Sequence, residues 1–128
     1  MNGETVLIAD DSELMCARLE EELLMLGVGT CIKALNGQEA VNAYKEQRPD
    51  MVFLDINMPV LDGLQTLQVL RALDHTAYVV MASGVSVVDK VKAAIKLGAK
   101  GFMVKPYSTA KIAEALRNFR HLRDKSAG

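Results

Sequence analysis

Polar residues with complementary chemistry stand directly after four short apolar runs of this 128-residue chain. Asp10 and Asp11 follow the first run, Asp55 a later one, and Ser83 and Lys105 the last two. Carboxylates that are brought together repel one another, and a hard divalent cation relieves this repulsion. Mg²⁺ keeps several waters and commonly binds one or two carboxylates together with phosphate oxygens. The residue types therefore indicate phosphate chemistry at a magnesium site.

Each of these residues fits one role in phosphoryl transfer. Asp55 is the candidate nucleophile, because carboxylates form aspartyl-phosphate intermediates. Lys105 offers a compact positive charge to one phosphate oxygen, and Ser83 can donate a hydrogen bond to another. Such transfer asks mainly for in-line positioning and neutralisation of charge. Taken singly, an aspartate at a strand end is more often a helix cap, so the hypothesis depends on the joint placement.

Strand and helix patterns alternate along the chain and would bring these residues to one edge of a sheet. Short β-branched apolar runs predict strands over residues 5–9, 30–34, 51–54, 77–82 and 101–104. The runs are apolar throughout, which indicates that both sheet faces are covered. The sequence thus predicts a doubly wound α/β fold with a five-stranded parallel sheet and helices on both faces. Ligands in such folds bind at the carboxyl ends of the strands.

The last two helices have readable apolar stripes. Apolar residues at helical spacing predict their buried sides, which are Val88, Val91 and Ile95 in the fourth helix and Ile112, Leu116 and Phe119 in the fifth. The polar segment from residue 120 onward is expected to fray. We therefore expect one domain over residues 4–122 and a flexible C-terminal tail over residues 123–128.

Composition excludes several classes of protein. Half of the residues are hydrophobic and 24% are charged, which argues against disorder. No apolar run approaches the roughly 20 residues that span a bilayer, and the N-terminal residues do not resemble a signal peptide. We expect a cytoplasmic protein. Cys16 and Cys31 lack metal-binding spacing, so they are expected to be buried, reduced thiols.

Charge is unevenly distributed along the chain. Residues 1–88 hold 5 Lys/Arg and 13 Asp/Glu, whereas residues 89–128 hold 10 Lys/Arg and 3 Asp/Glu. This asymmetry is typical of an acidic site in one place and a basic partner face in another. Solvated helix faces are the alternative interpretation, and charge alone does not separate the two.

The combination of motifs resembles the receiver domain of two-component response regulators, particularly its stand-alone, CheY-like members. The matching residues are Asp10-Asp11, Asp55-Ile56-Asn57-Met58-Pro59, Asp62-Gly63, Ser83 and Lys105-Pro106. The resemblance covers residues 4–122 and implies the flavodoxin-like strand order 2-1-3-4-5.

The resemblance assigns roles to the polar residues. Asp55 would be the phosphoacceptor. Asp10, Asp11 and Asp55 would hold Mg²⁺, partly through water, together with the backbone carbonyl of Asn57. The phosphoryl oxygens would be bound by Ser83 and Lys105, and the peptide bond between Lys105 and Pro106 would be cis.

The resemblance also implies a conformational switch and a lifetime for the phosphorylated state. Phe102, three residues before Lys105, matches the aromatic switch that moves inward as Ser83 closes on the phosphate. Asn57 and Val85 would flank the path of the hydrolytic water. Val85 offers no polar atom and would crowd that path, which predicts slow dephosphorylation. The alternative is that Val85 only packs against the fourth helix.

By the same resemblance, the chain is not an enzyme but a phosphoacceptor that supports its own phosphotransfer and slow aspartyl-phosphate hydrolysis. The donor would be a sensor histidine kinase or a phosphotransfer protein. The downstream target would be a protein that binds the face made by the fourth helix, fifth strand and fifth helix. Neither direct nucleic-acid binding nor membrane insertion is expected. An acidic partner is predicted from the basic residues of this region, Lys90, Lys92, Lys96, Lys100, Lys111, Arg117 and Arg120.

Three other functions stay open. A flavodoxin-like cofactor binder would need a Ser-, Thr- and Gly-rich phosphate loop after the first strand, where Asp10 and Asp11 would repel a phosphate. A haloacid-dehalogenase-type phosphatase would carry Asp-x-Asp after that strand, whereas this chain has adjacent aspartates there. A degenerate receiver that serves only as a binding module would not need the complete acceptor set.

Overall fold

The computed structural model describes residues 3–84 and 88–127, in which strands and helices alternate. The strands are β1 (Thr5–Ala9), β2 (Thr30–Ala34), β3 (Met51–Asp55), β4 (Val79–Ser83) and β5 (Gly101–Val104). The helices are α1 (Glu13–Met25), α2 (Gly37–Gln47), α3 (Gly63–Leu73), α4 (Val88–Lys96) and α5 (Thr109–Ala127). Within the described ranges, no helix has both the length and the apolar character needed to cross a membrane.

The sheet is parallel throughout and its strand order is β2-β1-β3-β4-β5, which confirms the predicted fold class and topology. Ala9 pairs with Leu54 across β1 and β3, and Asp55 pairs with Ala82 across β3 and β4. The carboxyl ends of neighbouring strands are therefore level with one another. Residues that follow these ends must meet at a single edge of the sheet.

Alternate strand residues pack on opposite faces of the sheet, because successive side chains of a strand point in opposite directions. Leu7, Leu54 and Met81 belong to the core shared with α2, α3 and α4. Ile8 and Phe53 belong to the core shared with α1 and α5. All five side chains are at most 2% exposed. Full burial of a side chain of this size contributes about 1.5–3 kcal/mol, so the two cores make the sheet a rigid platform.

Helix α4 packs differently from the prediction. Ile95 is 63% exposed, whereas Ala94 is completely buried. The expectation that Ile95 faces the core was therefore wrong. The small side chain of Ala94 lies in the same packed cluster as Met81, and this allows α4 to approach the sheet closely. The side chain of Val88 lies outside the described residues.

Helix α5 continues to Ala127, well beyond Phe119, and so includes most of the segment predicted as a tail. The reason is a set of ion pairs with Glu4, which precedes β1. Arg120 donates to the Glu4 carboxylate from Nε at 2.6 Å and from Nη2 at 3.0 Å. Arg123 Nη1 donates to the same carboxylate at 3.0 Å. Two further turns of helix thus satisfy a carboxylate whose side chain is 1% exposed.

Candidate functional site

Three carboxylates meet at the carboxyl edge of the sheet. Asp10, Asp11 and Asp55 each place one oxygen within 4.8 Å of the oxygens of the other two. Asp10 and Asp55 are buried, with 3% and 4% of their surface exposed, whereas Asp11 is open to solvent. An all-oxygen donor set with one open side fits Mg²⁺, which retains water ligands. The structure thus brings together the three side chains predicted to bind the metal.

Lys105 lies beside this cluster. Its Nζ is 2.6 Å from Asp10 Oδ2 and 3.4 Å from Asp55 Oδ2. Its backbone N–H donates to the carbonyl of Ser83 at 2.7 Å, which fixes the end of β5 against the end of β4. The Lys105–Pro106 peptide bond is cis. One ammonium group therefore faces two buried carboxylates, and the cluster with Asp11 keeps an excess of negative charge.

Burial and the closeness of these charged groups shift the pKa values of Asp55 and Lys105. Burial raises the pKa of Asp55 and the charge of Asp10 raises it further, against the opposing effects of Lys105 and of the Asn57 backbone N–H. Burial by itself would lower the pKa of Lys105, but its hydrogen bond to Asp10 and the charges of Asp55 and Asp10 raise it above its usual value. Lys105 is therefore a permanent cation, and a divalent metal would favour the ionised form of Asp55.

Three hydrogen bonds hold Asp10 in place, two to its backbone and one to its carboxylate. The Asp10 N–H donates to the carbonyl of Ala34 at 3.0 Å, and the thiol of the buried Cys16 donates to the Asp10 carbonyl at 3.4 Å. Ser12 N–H donates to Asp10 Oδ1 at 2.9 Å, and the Ser12 hydroxyl caps α1 by accepting from Met15 N–H. The turn that carries the carboxylates is therefore fixed by the start of α1.

The Asp62-Gly63 pair has a structural explanation. Asp62 caps α3 in a reciprocal arrangement with Gln65, with hydrogen bonds of 2.8 and 3.1 Å. A Cβ atom at Gly63 would overlap the backbone of Asp55 and Ile56. The Gly63 N–H donates to the carbonyl of Ile56 at 2.7 Å. Glycine thus lets α3 begin directly against the acceptor loop.

The remaining predicted residues are placed as follows. Ser83 is 2% exposed at the end of β4, next to the strand that carries Asp55. Asn57 is exposed, and its backbone N–H is directed at Asp55. Phe102 is half-buried and packs against the core on the α2, α3 and α4 side. Val85 lies outside the described residues. The roles of all four in metal binding, switching and hydrolysis stay predictions.

Tyr107 was missed by the sequence reasoning. It is 6% exposed, and burial raises the pKa of its phenol, with the negative charges of Asp10 and Asp55 adding to the effect. The available signal was an aromatic residue two positions after Lys105. Tyr107 therefore lies in the electrostatic field of the site.

Mg²⁺ is expected to raise the melting temperature of the wild-type protein, because it relieves repulsion among three carboxylates. A ligand at 100 times its Kd stabilises the native state by about 2.7 kcal/mol. The Asp11→Ala variant loses one exposed charge, so without metal it should melt above the wild type and gain less from Mg²⁺. Thermal melts with and without millimolar Mg²⁺ measure both effects.

The control variant is Asp124→Asn. This residue is remote in sequence and its side chain is 75% exposed, so the variant should respond to Mg²⁺ like the wild type. An unchanged wild-type melting temperature would exclude the metal site.

Comparison with known proteins agrees with this geometry. The family model for the response regulator receiver domain matches residues 6–117. Chemotaxis protein CheY of Thermotoga maritima is 38% identical over 114 residues, which cover 89% of this chain and 95% of that protein. CheY of Bacillus subtilis is 37% identical over 111 residues, with 87% and 92% covered.

Solved structures give the same result. A chain in the CheX–CheY–BeF3–Mg²⁺ complex of Borrelia burgdorferi superposes with a TM-score of 0.88 at 34% identity, covering 91% of this chain and 89% of that one. A CheY-like receiver domain of Methanospirillum hungatei, 18% identical, shares the fold with a TM-score of 0.91 and coverage of 98% and 99%. The chain belongs to the response regulator receiver domain family and takes part in two-component signal transduction.

Proposed function

We propose that the chain is a phosphoacceptor response regulator that receives a phosphoryl group on Asp55 in the presence of Mg²⁺. The observation that carries this proposal is the position of Lys105 Nζ, between Asp10 and Asp55 and beside a three-carboxylate cluster. A sensor histidine kinase or a phosphotransfer protein is the donor, and both meet the chain in the cytoplasm. A protein target then binds the α4, β5 and α5 face.

Phosphoryl transfer to Asp55 requires the protein mainly to position the reacting groups and to neutralise their charge. A bond forms between an Asp55 carboxylate oxygen and phosphorus while the bond from phosphorus to the donor's histidine nitrogen breaks. Lys105 exchanges its carboxylate contacts for a phosphoryl oxygen, and Ser83 donates a hydrogen bond to another. Asp10, Asp11 and Asp55 would hold Mg²⁺ through their carboxylate oxygens, and the bound ion would supply further neutralisation of charge. The chain acts as a substrate that supports its own phosphotransfer and slow hydrolysis, rather than as an enzyme.

Beryllofluoride, an acyl-phosphate mimic, tests the proposed acceptor. It is expected to bind the wild-type protein in the presence of Mg²⁺ with one site, because Asp55 supplies the carboxylate oxygen that the beryllium coordinates. Asp55→Asn should show no binding, and Lys105→Met should bind at least about tenfold more weakly since a charge-assisted contact is lost. Isothermal titration calorimetry measures all three. Binding of equal affinity to Asp55→Asn would refute the assignment.

The proposed output face is basic in the structure. Lys92 and Lys96 of α4, Lys100 before β5, and Lys111 and Arg117 of α5 are exposed. One residue of the predicted set does not belong to this face. Arg120 is engaged with Glu4 and with the carbonyl of Leu26, so its charge is already neutralised. The remaining cations support a partner with an acidic surface.

Reversing a charge on this face is expected to weaken the target complex. Lys92→Glu and Lys111→Glu should each slow association about tenfold at low salt, because electrostatic steering sets the on-rate. The measurement is surface plasmon resonance with the target, captured from lysate on the beryllofluoride-loaded protein. Lys45→Glu on α2 is the control and should have no effect. Association insensitive to salt and to both reversals would rule out an electrostatic face.

A further inference from the structure

A strained turn lies in the acceptor loop, which we define as residues 56–62 between β3 and α3. Val60 has a φ of 72°, in the left-handed region that a β-branched residue rarely adopts. The N–H of Leu61 donates to the carbonyl of Pro59 at 2.9 Å, so Val60 is the central residue of a γ-turn with positive φ. Val60 is 74% exposed, so burial of its own side chain does not offset the strain. The neighbouring residues must therefore impose this conformation.

Two helices fix Leu61, the last residue of this turn. Thr66 in α3 is completely buried, and its hydroxyl donates to the carbonyl of Asp62 at 2.8 Å. The same hydroxyl lies 3.5 Å from the carbonyl oxygen of Leu61. Gly37, the first residue of α2, lies so close that a Cβ atom there would overlap the Thr66 hydroxyl and the Leu61 carbonyl oxygen. The end of the acceptor loop is thus braced between α2 and the Thr66 hydroxyl.

The start of the acceptor loop is fixed as well. The N–H of Ile56 donates to the carbonyl of Ala82 at 2.9 Å, and the carbonyl of Ile56 accepts from the N–H of Gly63 at 2.7 Å. Asn57 lies between the fixed start and the strained turn. Its backbone N–H is directed at Asp55, and its backbone carbonyl is the predicted metal ligand. With both ends of the loop held, the position of the Asn57 backbone depends on the turn.

We propose that Thr66 is a positioning residue for phosphoryl transfer to Asp55, because its buried hydroxyl holds the strained turn that fixes the Asn57 backbone beside the metal site. This inference rests on the proposed function. A loop that was free to move would have to be ordered whenever Mg²⁺ binds, and that ordering would weaken binding. The braced turn supplies this order in the free protein, and the strain at Val60 accompanies it.

A purely structural role for Thr66 makes different predictions. Hydrogen bonds from a threonine hydroxyl to the carbonyl four residues earlier also occur within ordinary helices, where they affect the helix alone. Such a bond would influence stability without any link to Val60 or to the metal. Two measurements separate the roles, namely the energetic coupling between Thr66 and Val60 and the affinity for Mg²⁺.

The brace is tested without metal, by thermal melts of single and double variants of the full chain. Val60→Gly should raise the melting temperature, because glycine adopts positive φ without strain. Thr66→Val keeps the shape of the side chain but removes the hydroxyl. In that background the loop can relax, so Val60→Gly should raise the melting temperature by less than half as much. In the Thr66→Ser background, which keeps the hydroxyl, the full increase should return. No increase in Val60→Gly, or an equal increase in all three backgrounds, would overturn the brace.

The positioning role is tested by titration with Mg²⁺ alone, followed through the amide resonance of Asn57 at a temperature where every variant is folded. Thr66→Val should raise the Kd for Mg²⁺ about tenfold, since loss of a group that supports a metal ligand costs about 10–100-fold in affinity. Thr66→Ser should bind Mg²⁺ nearly as tightly as the wild type.

The matched control is Thr30→Val. Thr30 is exposed and begins β2, so it lies at the amino edge of the sheet, opposite the carboxylates. This variant should keep the wild-type Kd. A lower melting temperature of Thr66→Val with an unchanged Kd would overturn the positioning role and leave the proposed function intact. Failure of the wild type itself to bind Mg²⁺ would contradict the metal site and this role together, so the two failures are distinguishable.

Discussion

Acetyl phosphate with Mg²⁺ is expected to add one phosphoryl group to the wild-type protein and none to Asp55→Asn. Asp55 is buried, within 3.4 Å of the Lys105 ammonium and next to two further carboxylates that can hold the metal. Asparagine has nearly the same shape but is a far weaker nucleophile than a carboxylate. Intact-mass spectrometry counts the added groups directly, and the label should be absent from the variant within the detection limit.

Two controls make the result specific. Asp124→Asn changes an exposed carboxylate and should be labelled like the wild type. Asp10→Asn retains the acceptor but loses a buried metal ligand, so its labelling should become slow rather than absent. Equal labelling of Asp55→Asn would contradict the assignment. A phosphatase of the haloacid dehalogenase type would behave in the opposite way, because it would depend on Asp10 and tolerate the loss of Asp55.

The fold and the polar cluster were readable from the sequence because both depend on local patterns. Uninterrupted apolar runs defined the strands, and in a parallel sheet the residue after each run must lie at the carboxyl edge. The positions of Asp10, Asp55 and Lys105 follow from that rule together with the strand order, which was implied by the resemblance to the receiver family. No detailed knowledge of packing was required for their convergence.

Other features depend on distant contacts that no local pattern reveals. Glu4 and Arg120 are separated by 116 residues, so the ion pair between them could not be read from spacing. Counting charges placed Arg120 on the output face, and the polar character of residues 120–128 led to the expectation of a frayed tail where α5 continues to Ala127. The helical stripe favoured Ile95 by its hydrophobicity, whereas close packing required Ala94. Tyr107 was passed over because burial of a residue after a strand depends on the elements around it.

Replacing Glu4 with Gln is expected to lower the free energy of unfolding by about 2–3 kcal/mol at neutral pH. Glutamine keeps the size of the side chain but leaves Arg120 and Arg123 facing a neutral amide. Breaking a buried pair costs about 3–5 kcal/mol, and the effect is smaller here because the two arginine side chains are 26% and 36% exposed and stay hydrated. Against a total stability of about 5–15 kcal/mol this is a large fraction. Urea denaturation measures the change, and the exposed Glu46→Gln should have no comparable effect.

The ion pair between Glu4 and Arg120 also determines how the free energy of unfolding changes with pH. The hydrogen bond from Arg120 lowers the pKa of Glu4 from 4.5 to about 2, against the opposing effect of burial. A carboxylate with a lowered pKa in the folded state stabilises the fold above its unfolded pKa and loses that contribution as pH falls toward the folded value. The difference in stability between wild type and Glu4→Gln should therefore be constant above about pH 5 and shrink between about pH 4.5 and pH 2. Urea titrations at a series of pH values follow that difference, and one that stays the same down to pH 3 would show that Glu4 does not stabilise the fold through its charge.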